Sequence, residues 1–313
     1  MSTLKQVFGS NISCKKGVYQ SAVLIIIYIC KTGLIRLLPL YISYNTMHTT
    51  NHYTLTKKQL VILNLLYRFR FATSEQLSQI LNITQATINK RLKLMMEQEY
   101  IGRHYEPEYR LLRQHASYYL LPKGAKELKR ANTKYSPTVL KNTNNDKDAS
   151  DGFINHCLDV FNVYCTLRSK YGDRLRFFTK TQLTTFEHYP QPLPDAYIQL
   201  DNGDEERQFF LDVLHESQPF FVATRKVMQY VAYAEDNSEE WEQATGTALP
   251  SVLLICDSVS LKKRLQKKMR RAAEGIEDTD TKLYAAVMSE IGDNSGWHDL
   301  ADVEQAFSLD DIQ

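Results

Sequence analysis

The sequence predicts two mixed folds in tandem, α+β in the first half and α/β in the second. Three observations point to it. Apolar residues recur at helical spacing behind capping threonines between residues 56 and 95; residues 132–151 hold almost no apolar side chain beyond Val139 and Leu140; and short β-rich runs then alternate with helical stretches as far as residue 288. With 313 residues, 43% of them apolar, the chain is long enough for two ordinary domains with sizeable cores.

The first domain, residues 47–131, reads as an N-terminal winged helix-turn-helix. Thr56 caps a first helix over residues 56–69, where Leu60, Ile62, Leu63, Leu66, Tyr67 and Phe69 fall at helical spacing. Thr73 and Gln76 stand in capping-box positions ahead of Leu77, Ile80 and Leu81, which makes a short second helix. After the break at Asn82-Ile83, Thr84 caps a third helix with Ile88, Leu92 and Met95 inward and Gln85, Thr87, Asn89, Lys90, Arg91 and Lys93 outward. Tyr100-Ile101-Gly102-Arg103 and Tyr118-Tyr119-Leu120-Leu121 flank a polar hairpin loop around residues 106–115, and a further helix over residues 125–129 follows Pro122-Lys123-Gly124. The second of the paired helices in such a motif lies in the major groove, where amide and basic side chains meet base edges and phosphates. Gln85, Thr87, Asn89, Lys90, Arg91 and Lys93, with Arg103 on the wing, are therefore the candidate DNA-binding residues. The competing reading is a solvated charged face on a module that packs against a protein partner.

Charge favours nucleic acid. Residues 47–134 carry 15 Lys or Arg against 6 Asp or Glu, whereas residues 272–313 carry 1 against 11, so a formal net charge of +2 conceals a strong asymmetry. A basic half gains affinity from phosphate contacts and counterion release, and the acidic tail, residues 292–313, is expected to be solvated or to shield that basic surface. Residues 132–151 are the expected polar linker. Residues 1–46 form an apolar N-terminal extension in which residues 22–30 are intensely apolar. That run falls short of the ~20 residues a spanning helix needs, and Lys31, Arg36 and Pro39 follow it, so no stable membrane insertion is expected. Met47 offers an alternative start that would make residues 1–46 dispensable. The five cysteines form no CxxC pair and no zinc-like spacing; the expected setting is reduced and cytoplasmic, with Cys157, Cys165 and Cys256 as small core residues.

The second domain, residues 152–291, opens with a helix over residues 153–171 that carries His156 near its start. Three strands follow, over residues 175–178, 196–200 and 208–214, and Asp201-Asn202-Gly203-Asp204 signals the turn between the last two. A helix over residues 223–234, a buried strand over 251–256, a basic helix over 261–271 and a strand over 283–288 complete an α-β-β-β-α-β order. The basic helix holds seven cations in 11 residues, Lys262, Lys263, Arg264, Lys267, Lys268, Arg270 and Arg271, which extend a DNA-binding face or solvate a helix.

This order, with Pro194-Asp195 and Phe210-Leu211-Asp212 on neighbouring strands, resembles the restriction-endonuclease-like αβββαβ core of the PD-(D/E)xK nuclease superfamily. The resemblance implies that Asp195 and Asp212 are catalytic and metal-holding residues, with Mg or Mn as cofactor if the site is active and none otherwise. Hard carboxylate oxygens suit such cations, which neutralise charge developing at a phosphate and generate hydroxide. The superfamily's lysine belongs two residues after the second acid, where this chain has Leu214. Lys226, one turn before Tyr230 on the same helical face, is the candidate replacement; an ordinary surface lysine is the alternative. His156, His215, Glu216 and Tyr230 are supporting candidates, with structural or solvated roles as their alternatives.

Taken together, residues 55–288 resemble the replication-relaxation family of mobile-element proteins, which pair a winged helix with such a domain. The resemblance is carried by Leu55-Thr56-Lys57-Lys58-Gln59-Leu60, Tyr119-Leu120-Leu121-Pro122-Lys123-Gly124-Ala125, His156, Pro194-Asp195-Ala196, Phe210-Leu211-Asp212-Val213, and Lys226 with Tyr230. It implies a DNA-binding protein acting in replication or mobilisation of a plasmid or integrative element. Its partners would be double-stranded DNA and either a second copy of the chain or replication and mobilisation proteins. The family commonly shows Glu-x-Asp where this chain has Asp212-Val213-Leu214, so the nuclease-like domain is expected to be degenerate. Two alternatives stand beside this reading: an active metal-dependent endonuclease or nickase, and a winged-helix transcriptional regulator. Neither a Gly-rich phosphate loop nor a Ser/His/Asp nucleophile motif is apparent, which argues against a nucleotide-driven motor or a serine hydrolase.

Overall fold

Two capping boxes organise the start of the fold. The computed structural model describes residues 55–105, 115–131, 135–186, 188–203, 205–273, 282–300 and 305–312. The extension over residues 1–46, the alternative start at Met47 and most of the hairpin loop lie outside them. Helix α1 (Lys57–Phe69) begins where the Thr56 hydroxyl accepts from Gln59 N at 3.3 Å and Gln59 Oε1 accepts from Thr56 N at 2.9 Å. Strand β1 (Phe71–Thr73) leads into α2 (Ser74–Ile80), where Thr73 and Gln76 repeat the arrangement at 3.1 and 2.8 Å. Asn82, at φ +48°, turns the chain into α3 (Gln85–Glu97), capped by Thr84. Strands β2 (Ile101–His104) and β3 (Ser117–Leu120) pair antiparallel, and β1 joins the free edge of β3, giving the sheet order β1-β3-β2. This is the expected winged helix-turn-helix. Helix α4 (Pro122–Ala131) follows, longer than expected; a Cβ on Gly124 would meet Tyr100 O at 2.3 Å, so glycine alone fits there.

From residue 135 on, where it is described, the expected linker over residues 132–151 is folded instead. Helix α5 (Pro137–Asn142) and a 3₁₀ turn (Thr143–Asp148) bury Thr143 and Asp146. Asp146 is ion-paired with Arg70, and its carbonyl lies 2.8 Å from His104 Nε2. Most of its polar side chains are exposed, but Thr143, Asp146 and the apolar Val139 and Leu140 anchor it to the core, which composition does not reveal.

The second part runs α6 (Asp151–Tyr171), β4 (Leu175–Thr179), α7 (Lys180–Leu183), β5 (Ala196–Asp201), β6 (Glu206–Leu214), α8 (Phe220–Thr245), β7 (Ser251–Cys256), α9 (Val259–Ala273) and β8 (Leu283–Val287). The αβββαβ order expected from sequence is present. Strands β4, β5 and β6 are antiparallel, β6, β7 and β8 parallel. Helix α8 is far longer than residues 223–234: the acidic run after Ala234 lies mostly on its solvent face, Trp241 still points inward, and Gly246 at φ +73° ends it.

The acidic tail over residues 292–313 is likewise structured where it is described. Strands β9 (Trp297–Asp299) and β10 (Ala306–Phe307) extend the sheet antiparallel, for an order β10-β9-β8-β7-β6-β5-β4. Trp297, Leu309 and Ile312 are fully buried, and Arg174 pairs with Asp310 at 2.6 Å. The domain therefore continues past residue 291; acidic residues flank core side chains rather than forming a solvated tail.

The sheet has two covered faces. Phe161, Val163 and Leu167 of α6 share a core with Phe177, Ile198, Leu211 and Ile255 on one face, and that core runs on without interruption into Ile62, Leu66 and Leu92 of the winged helix. On the other face, Val227 and Tyr230 of α8 and Leu261 and Leu265 of α9 pack with Phe210, Leu254 and Cys256. Phe69 stacks on Phe161 with centroids 4.2 Å apart, Arg68 Nη2 donates to Phe177 O at 2.6 Å, and Gln76 Nε2 donates to Leu158 O at 2.8 Å. Residues 55–313 thus form one compact unit rather than two modules on a tether.

Candidate functional site

Strand register brings the two acids together. Ala196 pairs with Leu211, so one step further along the antiparallel ladder Asp195 stands opposite Asp212. Asp195 N donates to Asp212 Oδ1 at 3.0 Å, and Val213 N donates to Asp195 Oδ2 at 3.0 Å, so each carboxylate holds the other's strand. Both are buried, Asp212 completely. From α8, Lys226 Nζ pairs with Asp212 Oδ1 and lies 3.8 Å from Asp195 Oδ2, and one turn on, the Tyr230 hydroxyl donates to Asp212 Oδ2 at 2.6 Å. From α6, on the opposite face of the sheet, His156 Nε2 lies 3.0 Å from Asp195 Oδ1.

The network continues outward. His156 Nδ1 lies 2.9 Å from His215 Nε2, and His215 Nδ1 lies 3.8 Å from a carboxylate oxygen of both Asp159 and Asp257. A hydrogen bond between two imidazoles needs one donor and one acceptor, so this contact fixes complementary tautomers on the two rings. Asp195, Asp212, Lys226, Tyr230, His156 and His215, scattered over 75 residues of sequence, therefore occupy one cluster. Glu216 does not join it: its carboxylate hydrogen-bonds Ser258 and Ser260 at the start of α9, and its backbone N donates to Asp257. Sequence reasoning passed over Asp159 and Asp257. Asp159 lies one helical turn from His156, and Asp257 follows β7, whose Cys256 pairs with Leu214 just before His215; only the packing of α6 against those strand ends brings the two acids to the His215 ring.

Burial opposes ionisation of Asp195, but the Lys226 charge, the His156 hydrogen bond and the Val213 N–H outweigh it and hold its carboxyl below the ordinary range. Burial pushes Asp212 up, Lys226 opposes, and the neighbouring Asp195 charge adds to the rise. The Lys226 ammonium favours the ionised form of both acids, but at Asp212 burial and the Asp195 charge outweigh it. Burial works against the charge on Lys226, but Asp212 and Asp195 prevail and raise its pKa, so it stays protonated. Burial and the Asp212 charge lift the Tyr230 phenol well above its usual value, so it acts as a donor. Burial, followed by the field of His156, lowers His215 against the pull of Asp159, Asp257 and Asp195.

The donor set does not fit a divalent metal. Each of the four carboxylate oxygens of Asp195 and Asp212 already accepts from an N–H, an O–H or an ammonium, and Lys226 Nζ already supplies positive charge to both. Among the described residues, no group of three or more His, Cys, Asp or Glu is arranged to hold a metal ion. Beside the cluster, a cavity of about 250 Å³ opens between Arg68, Phe153, His156, Cys157, Lys180 and Asp195. Cys157 in its wall is the buried core cysteine expected, and burial pushes its thiol up to about 12.

The expected DNA-binding face is arranged as the helical spacing required. Ile88, Leu92 and Met95 are buried, while Gln85, Asn89, Lys90 and Lys93 are exposed and Thr87 and Arg91 half-buried. Gln85 Nε2 donates to Ser74 Oγ at 2.6 Å, which ties the start of α3 to α2. Arg103, exposed on β2, lies 4.9 Å from the Tyr105 ring centre. No helix among the described residues is long and apolar enough to cross a membrane.

A winged helix fused through a common core to an αβββαβ domain defines the architecture. The chain belongs to the replication-relaxation family, whose pattern it matches over residues 63–249, more than half its length. No curated protein matches it in sequence. Among solved structures it is similar to the adhesin competence repressor (AdcR) of Streptococcus pyogenes, at 17% identity and a TM-score of 0.23, over 38% of this chain and 83% of that one. It is also similar to the restriction endonuclease FokI, at 12% identity and a TM-score of 0.29, over 74% of this chain and 42% of the endonuclease. At these TM-scores neither likeness carries an argument.

Proposed function

We propose that this protein binds double-stranded DNA through α3 and serves replication or mobilisation of a plasmid or integrative element, with its αβββαβ domain a nuclease-like scaffold that no longer cleaves. Membership of the replication-relaxation family and the exposed amide and basic face of α3 support the first half. The observation that carries the second is the saturation of Asp195 and Asp212 by protein donors, with Lys226 between them. In this reading the acids, the lysine and Tyr230 pin β5, β6 and α8 together, and His156 ties α6 to the same point.

The deciding experiment incubates the full chain with supercoiled plasmid, with and without Mn²⁺, beside an Asp195→Ala, Asp212→Ala double variant. DNA binding without nicking is the expected result. Metal-dependent nicking that the double variant abolishes would make the domain an active endonuclease, with Asp195, Asp212 and Lys226 as its catalytic set.

A further inference from the structure

The solvent face of α9 has no part in that reading. Leu261, Leu265 and Met269 anchor the helix in the core, and Lys262 turns inward, with Nζ 3.0 Å from His298 Nδ1 and 3.4 Å from Glu290 Oε2. These inward residues fix the rotation of the helix, so Lys263, Arg264, Lys267, Lys268 and Arg270 all face solvent. Arg264 is held over the Phe220 ring at 4.4 Å, and the Glu216 contacts to Ser258 and Ser260 secure the amino end. Among the described residues, Lys263, Lys267, Lys268 and Arg270 have no carboxylate within ion-pairing distance.

Position separates this surface from α3. Helix α9 packs on the sheet face that carries α8, whereas the winged helix packs on α6, across the sheet. We propose that the exposed face of α9 binds the phosphate backbone of duplex DNA without sequence preference, on a segment separate from the one that α3 reads, so that one chain joins two stretches of duplex. The proposal rests on the reading of α3 as a DNA-binding helix. Lys263 to Arg270 span roughly 10 Å at ~1.5 Å per residue, beside a duplex that presents a charge about every 1.7 Å of its axis. Charge complementarity over that length selects a polyanion, and cations without convergent amide or carboxylate partners read charge rather than bases.

The test is a bridging assay with the full chain. A bead-bound 30-base-pair duplex of arbitrary sequence captures protein, and recovery of a second, labelled duplex is measured. The wild type is expected to recover it. A Lys263→Gln, Lys267→Gln, Lys268→Gln, Arg270→Gln variant should still bind the first duplex yet recover about tenfold less of the second. Its slope of log affinity against log salt should shrink by ~0.9 for each phosphate that the variant no longer neutralises. Bridging and slope unchanged in that variant, with an unchanged melting temperature in both proteins, would overturn the proposal. An Asn89→Ala, Lys90→Gln, Lys93→Gln variant separates the two readings. If it binds DNA as the wild type does while the α9 variant loses all binding, the α3 reading falls and α9 stands as a DNA surface. If both variants lose affinity for a single duplex and the wild type never bridges, the two-segment proposal falls and α3 stands.

Discussion

Lys226 places one ammonium between two buried carboxylates, so its removal leaves negative charge without a counterion. Lys226→Met is expected to destabilise the protein by ~3–5 kcal/mol, read as a lower urea midpoint, and adding Asp212→Asn should restore part of the loss because the stranded charge is then gone. A single variant with an unchanged midpoint would show that the ion pair contributes no stability. His215 sets a pH dependence at the same scale. Burial and His156 hold its folded pKa below the ordinary 6.5, so the folded protein binds that proton less readily than the unfolded chain does. The neutral ring then contributes stability that is present in full above about pH 6.5 and is lost as the pH falls through the lower folded value. Replacing it by His215→Gln should flatten the change in melting temperature between about pH 7.5 and about pH 5.5, whereas an unaltered profile would assign the dependence to other groups. Much of this cluster was legible in the sequence, because Pro194-Asp195, Phe210-Leu211-Asp212 and the helical spacing of Lys226 and Tyr230 are local patterns. Asp159 and Asp257 were not, since what relates them is the meeting of α6 with the ends of β6 and β7, and no local pattern encodes a meeting of distant elements.

Among the elements, the helices that begin at a capping threonine are the ones whose starts the sequence located within a residue or so: Thr56, Thr73 and Thr84 all accept the expected backbone hydrogen bonds. Ends were harder. The helix expected over residues 223–234 continues to Thr245 with its acidic run on the solvent face, and the polar run that reads as a linker is α5 and a turn anchored by Thr143 and Asp146. In both cases composition reports solvation, while helix length is decided by what the opposite face packs against. The start of α4 gives a direct check on such packing. Gly124→Ala would drive a methyl into Tyr100 O, at 2.3 Å in the present geometry, and should cost ~1–3 kcal/mol by chemical denaturation, though alanine is the better helix former. A neutral or stabilising result would mean that α4 shifts freely against the wing.

At the scale of the whole molecule, the carboxyl-terminal residues complete the sheet. Trp297→Ala is expected to cost ~3–5 kcal/mol, measured by denaturant unfolding, because the indole is wholly buried; a solvated tail would leave stability unchanged. The charge count misled here, since eleven acids in 42 residues hide the short apolar anchors Leu309 and Ile312, and β9 and β10 are too short to stand out as strands. The continuous core between the winged helix and α6 has a consequence for how such a protein meets a duplex. Phe69 of α1 stacks on Phe161 and Gln76 of α2 bonds into α6, and Gln85 ties α3 to α2, so contacts run from α3 to the helix that carries His156. On the proposed reading, base pairs contacted by Gln85 and Asn89 would lie at a set offset from the Asp195 cluster, a ruler whose graduation is cast into the hydrophobic core.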